Sequence, residues 1–417
     1  MKTRIQIDQK IISGALKLSG SKSISNRLLI IQALSGSINS IRNCSNSDDS
    51  CVLQQALSST SSIIDIGLAG TAMRFLTAYY ASRNSDVILT GSERMKQRPI
   101  GVLVDALRLL GADISYTEKE GFPPLKIKGK TLDGGIVPMN ASVSSQFISA
   151  LLLISPTLKN GIQLELDSEI LSKPYIDMTL SLMNEHGVGS TWQGNTISVS
   201  PGTYKNEIVE VESDWSSISY LYETLALSEK GELDISYVSE NSIQGDKKVM
   251  EFYESFGIHS EINDGVLNLK KIKDFQISKS LTFDCRETPD LAQTLAATAC
   301  GLGIDIKLTG LNNLPLKETN RLVALKVELE KCGAEVRITN NNTLEVFSKS
   351  EFPEIDLDFE TFHDHRMAMC LAPLALKAKS VFIDDSEVVN KSYKTYWDDL
   401  KKLSFSIHLR EIKQVRL

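Results

Sequence analysis

The sequence predicts an α/β protein of two domains, built from about six copies of one helix–strand unit rather than one long doubly wound sheet. Three observations predict it. A helix closed by glycine and followed by a strand recurs: DALRLLGADISY from Asp105, SLMNEHGVGSTW from Ser181, EFYESFGIHSEI from Glu251 and VELEKCGAEVRI from Val327. Their glycines, Gly111, Gly187, Gly257 and Gly333, stand about 70–76 residues apart. The chain has 417 residues, more than one hydrophobic core normally serves. The polar stretch PGTYKNEIVEVESDWSS, Pro201 to Ser217, falls near mid-chain and reads as a hinge between two domains of three units.

In chain order, MKTRIQIDQKIISGALKL alternates like a strand and lacks the apolar core of a signal peptide. SGSKSISNRLLI then opens a helix, with Ile24, Leu28 and Ile31 at helical spacing. LQQALSSTSSIIDIG is a weaker copy of the repeat. GLAGTAMRFLTAYYA starts a helix near Gly70–Thr71, and VSSQFISALLLIS starts one at Ser144–Ser145–Gln146. Asp290 heads the helix LAQTLAATACG, either as a plain N-cap or as a chemical group. KETNRLVALKVELEK starts near Glu318–Thr319, and HDHRMAMCLAPLAL near Asp364. DDLKKLSFSIHL is a last copy without its glycine. Each repeat glycine suits the left-handed position that closes a helix.

Hydrophobic residues make up 42% and charged residues 23%, which excludes a disordered or fibrous chain. The net charge of −7 opposes a nucleic-acid partner, so any anion binding by the cations is local, in a cleft. Cys44, Cys51, Cys285, Cys300, Cys332 and Cys370 show no C-x-x-C spacing and read mostly as core residues in a reducing compartment. No apolar run approaches the ~20 residues of a membrane span. A soluble cytoplasmic protein is expected.

The cations are oddly placed. Lys22 and Arg27 are read in the first turn of one helix; Arg74, Arg321 and Arg366 stand in the first turns of others, with Lys317 just before. Arg94, Lys96 and Arg98 share a loop before Pro99. A cation near a helix N-terminus costs a few tenths of a kcal/mol when nothing balances it. Repetition beside small residues points instead to a ligand with several negative groups, phosphates or carboxylates. Bland alternatives stand beside each: Arg27 as a solvated helix residue, Lys22 as a loop lysine, Arg366 paired with Asp364, and Arg74 bracing the Gly70 loop. SGSKS fails the P-loop spacing. Glu318, between Lys317 and Arg321, is expected to stay ionised and to accept protons. His365 is read as orienting Arg366. His363 and His365 point apart at i,i+2 spacing, so no metal is expected.

Taken together, GSKSISNR, GTAMRFL, LTGSERMKQRPIG, SSQF, SKPYIDMTL, QGD, KETNRL…ELEKCGAEV and DHRMAMC resemble, in order and over nearly the whole chain, the motifs of the 5-enolpyruvylshikimate-3-phosphate synthase family. The resemblance implies a mixed α/β (α+β) fold, a two-domain inside-out α/β barrel with three βαβαββ repeats per domain. Domain I would comprise 1–19 plus 213–417 on the phosphoenolpyruvate side, and domain II 20–212 on the shikimate 3-phosphate side, with the active site in the interdomain cleft. It implies transfer of the enolpyruvyl group of phosphoenolpyruvate to the 5-hydroxyl of shikimate 3-phosphate, through a tetrahedral intermediate that loses phosphate. No cofactor, metal, nucleic acid or membrane is called for, and a monomer suffices.

By the same resemblance, Lys22, Ser23, Arg27, Ser144, Ser145, Gln146, Ser172, Tyr175, Asp290, Asn313 and Lys317 would hold shikimate 3-phosphate. Lys22, Gly70, Arg94, Gln146, Arg321, Arg366 and Lys391 would hold phosphoenolpyruvate. Asp290 would take the proton of the attacking hydroxyl, and Glu318 or Lys22 would serve protonation of the methylene. Departures are Leu68 for a usual Asn, Ser19 for Pro, Asn320 for Asp and His363 for Asn or Thr; a shifted alignment would make Lys394 the ligand instead of Lys391. Rival readings are UDP-N-acetylglucosamine enolpyruvyl transferase, which expects a cysteine in the Arg94–Gly101 loop, and a non-catalytic anion-binding relative.

Overall fold

The computed structural model describes residues 2–36, 40–140, 144–167, 170 and 172–410. Met1 and 411–417 of the expected domain ranges, and Val143 of the expected helix start, lie outside the described residues. Strands β1 (Lys2–Gln6) and β2 (Ile11–Lys17) come first, then α1 (Lys22–Ser35), β3 (Ile41–Arg42) and α2 (Asp48–Ser58). A first β-α-β-α-β-β run follows: β4 (Ile63–Asp65), α3 (Gly70–Ala81), β5 (Ser85–Thr90), α4 (Gly101–Leu109), β6 (Asp113–Tyr116) and β7 (Leu125–Gly129). The second is β8 (Gly135–Met139), α5 (Ser145–Ile154), β9 (Ile162–Leu166), α6 (Lys173–Glu185), β10 (Ser190–Gln193) and β11 (Thr196–Val199), with β12 (Val209–Glu210) after it. Then come α7 (Trp215–Leu227), β13 (Lys230–Ser236), α8 (Val249–Glu254), β14 (Ile258–Asn263) and β15 (Val266–Lys271). Another full run is β16 (Ser280–Asp284), α9 (Ala292–Leu302), β17 (Asp305–Thr309), α10 (Arg321–Glu330), β18 (Glu335–Thr339) and β19 (Thr343–Phe347). The last is β20 (Asp356–Phe359), α11 (His365–Leu371), β21 (Ser380–Asp384), α12 (Tyr396–Lys402) and β22 (Ser406–Arg410).

The chain divides into two compact units, Met1–Ser19 with Glu212–Leu417, and Gly20–Val211. Among the described residues, the first unit holds three four-stranded sheets, β20-β21-β1-β22, β14-β15-β13-β2 and β16-β17-β19-β18. The second holds β4-β5-β7-β6, β10-β11-β9-β8 and a two-stranded sheet of β3 and β12. Every four-stranded sheet repeats one pattern: a parallel pair, as β4 with β5, and two antiparallel joins, as β5 with β7 and β7 with β6. The sixth sheet is reduced to one parallel pair, Val209 opposite Ile41 and Glu210 opposite Arg42. The weak copy LQQALSSTSSIIDIG is therefore not a repeat junction: α2 ends on Ser59 in an extended conformation, and β4 belongs to the next sheet.

The repeat junctions show why glycine stands there. Gly111, Gly187, Gly257 and Gly333 all have φ between 77° and 96°, open to glycine at little steric cost. After α4, the Gly111 N–H donates to Arg108 O and the Ala112 N–H to Leu107 O, closing the last turn. After α12, Ser404 takes the same place at φ 71°, donating to Lys401 O while Phe405 donates to Leu400 O.

Helix starts are fixed by side-chain caps. The Ser47 hydroxyl accepts from Ser50 N–H at α2, Asp214 from Ser217 N–H at α7 and Asn320 from Val323 N–H at α10. Asn320 caps better than Thr319 would, so α10 begins at Arg321 and Glu318 lies upstream of it, not in its first turn. Asp290 likewise sits in a short turn, Pro289–Leu291, before α9, whose cap position is Leu291. The central helices are buried nearly all round. In α3, α5 and α7 the second residue of each helix, Thr71, Gln146 and Ser216, is the only one not buried. Fully buried Ile218, Leu225 and Leu295 each contribute roughly 1.5–3 kcal/mol of transfer free energy. Cys285, Cys300, Cys332 and Cys370 join the core as free thiols, and Cys44 and Cys51 are half-buried. Among the described residues no helix is long and apolar enough to cross a membrane.

Candidate active site

In the unit of Glu212–Leu417, six expected residues meet. Arg321, 2% exposed at the start of α10, donates from Nε and Nη2 to the two Asp364 oxygens at 2.7 and 3.2 Å, from Nη1 to Asp290 at 3.0 Å and from Nη2 to Glu318 at 2.9 Å. Arg366 donates from Nη2 to Asp290 Oδ2 at 2.9 Å and from Nη1 to the Tyr220 hydroxyl at 3.2 Å. Lys317 Nζ stands 3.4 Å from Asp290. Lys391, buried on a turn after β21, is ion-paired with Glu318, whereas Lys394 is exposed. Asn313 heads the turn Leu314–Leu316 that delivers Lys317.

Arg366 pairs with Asp290. Asp364 gives its carboxylate to the Arg321 fork and accepts only the backbone N–H of Arg366, while the Arg366 guanidinium goes to Asp290. Buried His365 packs beside Asp364, its Nδ1 3.5 Å from Oδ1, so it borders the cap that sets Arg366. Burial alone would raise the Asp290 carboxyl, but Arg366, Lys317 and Arg321 outweigh it and hold it well below the usual range. Burial lowers Lys317, with Asp290 opposing. Asp290 is thus ionised, and drawing those cations away would raise its basicity.

In the unit of Gly20–Val211, Arg27 is buried rather than solvated. Its Nε donates to Thr179 Oγ1 at 2.7 Å, Nη1 to the Ser23 carbonyl at 2.8 Å, and Nη2 to Ser149 Oγ and the Tyr175 carbonyl at 3.1 Å each. Burial pulls Arg27 down to about 10, so it stays charged at neutral pH. Lys22, the first residue of α1, stands 3.4 Å from buried Asp49 in the first turn of α2. Gln146 Nε2 donates to Thr71 Oγ1 at 3.2 Å, joining α5 to α3. Ser144 caps α5, Ser145 is buried, and Ser172 takes a left-handed φ of 55° before α6.

Arg74 takes its bracing role: Nη1 donates to Gly70 O at 3.0 Å and Nη2 to Pro99 O at 3.3 Å. A Cβ at Gly70 would lie 2.5 Å from the Arg98 guanidinium, so a side chain there would have to displace Arg98. Arg94 is exposed, its Nη1 3.4 Å from Gln97 Oε1. Sequence reasoning missed Asp49, Tyr220, Ser149 and Thr179. Ordinary residue types at ordinary helix positions gave no signal; only their partners mark them.

The family model for EPSP synthase (3-phosphoshikimate 1-carboxyvinyltransferase) matches residues 50–400. A 3-phosphoshikimate 1-carboxyvinyltransferase of Bacteroides fragilis is 43% identical over 401 residues, covering 96% of this chain and 97% of the relative. One from Colwellia psychrerythraea is 36% identical, covering 94% and 97%. The solved EPSP synthase of Acinetobacter baumannii shares the fold at a TM-score of 0.78 with 21% identity, covering 98% of this chain and all of that one. A repeated α/β architecture bearing a buried carboxylate–guanidinium network thus falls in the class of carboxyvinyl transferases. The chain belongs to the EPSP synthase (3-phosphoshikimate 1-carboxyvinyltransferase) family.

Proposed function

We propose that this chain transfers the enolpyruvyl group of phosphoenolpyruvate to the 5-hydroxyl of shikimate 3-phosphate and releases phosphate, a step of the shikimate pathway. Beyond family membership, the observation that carries the reading is the convergence of Asp290, Glu318, Lys317, Arg321, Arg366 and Lys391 from separate elements. Attack of the hydroxyl on C2 needs a base at the hydroxyl and an acid at C3. Asp290 is the base. Glu318 or Lys22 delivers the proton to the methylene. The same group then takes a proton back from the new methyl as phosphate leaves C2, which restores the enol double bond. Both substrates are polyanions, so Arg321, Arg366, Lys391, Lys22, Arg94, Gly70 and Gln146 hold phosphoenolpyruvate. Ser23, Arg27, Ser144, Ser145, Gln146, Ser172, Tyr175, Asn313 and Lys317, with Lys22 and Asp290, hold shikimate 3-phosphate.

On this reading residues 1–19 with 213–417 form the phosphoenolpyruvate domain, 20–212 form the shikimate 3-phosphate domain, and the protein works as a cytoplasmic monomer. The test is phosphate release by the purified chain given both substrates. Release that requires both supports the reading. Tight binding without release favours an anion-binding relative.

A further inference from the structure

The QGD motif, Gln244–Gly245–Asp246, has no role in the chemistry above, yet the fold secures it heavily. Gln244 Oε1 accepts from the Trp215 N–H at 3.1 Å, and its Nε2 donates to Glu212 at 2.9 Å and to Ser213 O at 3.0 Å. Glu212 also accepts from Ser242 Oγ at 2.5 Å and from the Ser239 N–H at 3.2 Å. This knot fixes the turn Gly245–Lys248 against the start of α7. Asp246 on that turn is 4% exposed. Its Oδ2 accepts from Ser216 Oγ, and its Oδ1 has no hydrogen-bond partner among the described residues.

Ser216 and Tyr220 are i and i+4 on α7, so they share one face, a turn apart. Ser216 holds Asp246 and Tyr220 holds Arg366. The Asp246 carboxylate, one oxygen unpaired, therefore hangs from the same face of α7 as the guanidinium whose other nitrogen is bonded to Asp290, and it feels the charges of both. We propose that Asp246 is a positioning residue for the transfer: it competes with Asp290 for Arg366 and so frees Asp290 to act as base.

Burial first, and the like charge of Asp290 second, push Asp246 up to about 6; Arg366 and the Ser216 hydroxyl oppose them, and Asp214 adds to the rise. The neighbouring Cys285 thiol is itself pushed up by burial and stays neutral. Above pH ~6 Asp246 is ionised and draws on the charge of Arg366. Below it Asp246 is neutral, Arg366 settles on Asp290, and the base weakens. The proposal rests on the activity proposed above.

The test is kcat of the full chain across pH. The wild type is expected to lose kcat along an acid limb near pH 6. Asp246→Asn, which mimics the protonated acid, is expected to lower kcat about tenfold at neutral pH, to abolish that limb and to change KM little. Asp246→Glu restores part of both. If Asp246→Asn fails to fold, Ser216→Ala, which removes only a bond to the ionised form, is expected to move the limb upward. Unaltered kcat and limb in the soluble variant overturn the proposal. Independently of turnover, the Asp246 carboxyl followed by 13C NMR is expected to titrate near pH 6 and to shift in Arg366→Lys; titration in the ordinary carboxylate range overturns the proposal even if the wild type releases no phosphate. A wild type without release counts against the activity reading alone.

Discussion

Arg27 and Arg321 are both buried near helix starts, yet their surroundings are opposite. The hydrogen-bond partners of Arg27 are neutral, two hydroxyls and two carbonyls. Those of Arg321 are three carboxylates, from Asp290, Glu318 and Asp364. Neutral oxygens satisfy the donors of Arg27 without cancelling its charge, so the region around α1 and α6 keeps a field that a phosphate can answer. The region around α10 and α11 has its charges matched internally, and an arriving anion must exchange with a carboxylate already there. On the proposed function, the first region would receive an anion and substrate would rearrange the second.

The largest expected effect comes from removing the shared carboxylate of the second region. Asp290→Ala is expected to lower kcat about 10²–10⁴-fold while substrate KM values move little. Steady-state phosphate release measures this, and near-wild-type turnover would remove Asp290 from the chemistry. Next comes the receptor. Arg27→Ala is expected to raise KM for shikimate 3-phosphate about 10–100-fold, the loss of a charge-assisted contact worth roughly 1.5–3 kcal/mol, and to affect phosphoenolpyruvate less. Equal weakening of both substrates would erase the contrast between the regions.

A smaller change should separate two lysines. Lys391→Ala removes one of the two cations paired with Glu318 and is expected to cost about tenfold in kcat/KM, while Lys394→Ala stays within about twofold. Reversed ranks would mean that Lys394 is the ligand. The smallest effect concerns a third way of burying charge. Glu223 on α7 is fully buried, and neither carboxyl oxygen has a hydrogen-bond partner among the described residues. Burial raises it well above the usual carboxylate range, so the folded state keeps it protonated. Its contribution is most favourable below the unfolded value and falls as pH rises toward the folded one. Glu223→Gln is therefore expected to raise Tm at pH 8 by roughly 2–4 °C and to flatten the decline with pH. A lower Tm at pH 8 would show that the charged form is satisfied after all.

The repeat was legible because glycine after a helix is a local requirement: Gly111, Gly187, Gly257 and Gly333 each adopt the φ that the junction needs. Ser404 shows the limit, for it takes the same conformation without the signature residue. Motif order revealed the family, and helix-start cations drew attention to Arg321 and Arg366. What the sequence did not show was pairing. Asp364 stands two residues from Arg366 yet serves Arg321, forty-three residues away, because a cap aspartate points along the helix end rather than along its own chain. Asp246 and Asp49 were hidden for the same reason: a carboxylate in a first turn is ordinary until its neighbour from another element is known.

Strand β1 lies between β21 and β22, with Ile5 opposite both Val381 and Ile407. β1 is thus an inner rung of a ladder whose other rungs, β20, β21 and β22, are made only after the whole of Gly20–Val211. During synthesis that rung must wait for its partners, while the sheets of Gly20–Val211 already hold all of their strands. Clipping the first seventeen residues would open a gap in one sheet of the later-made unit and strip an edge strand, β2, from another.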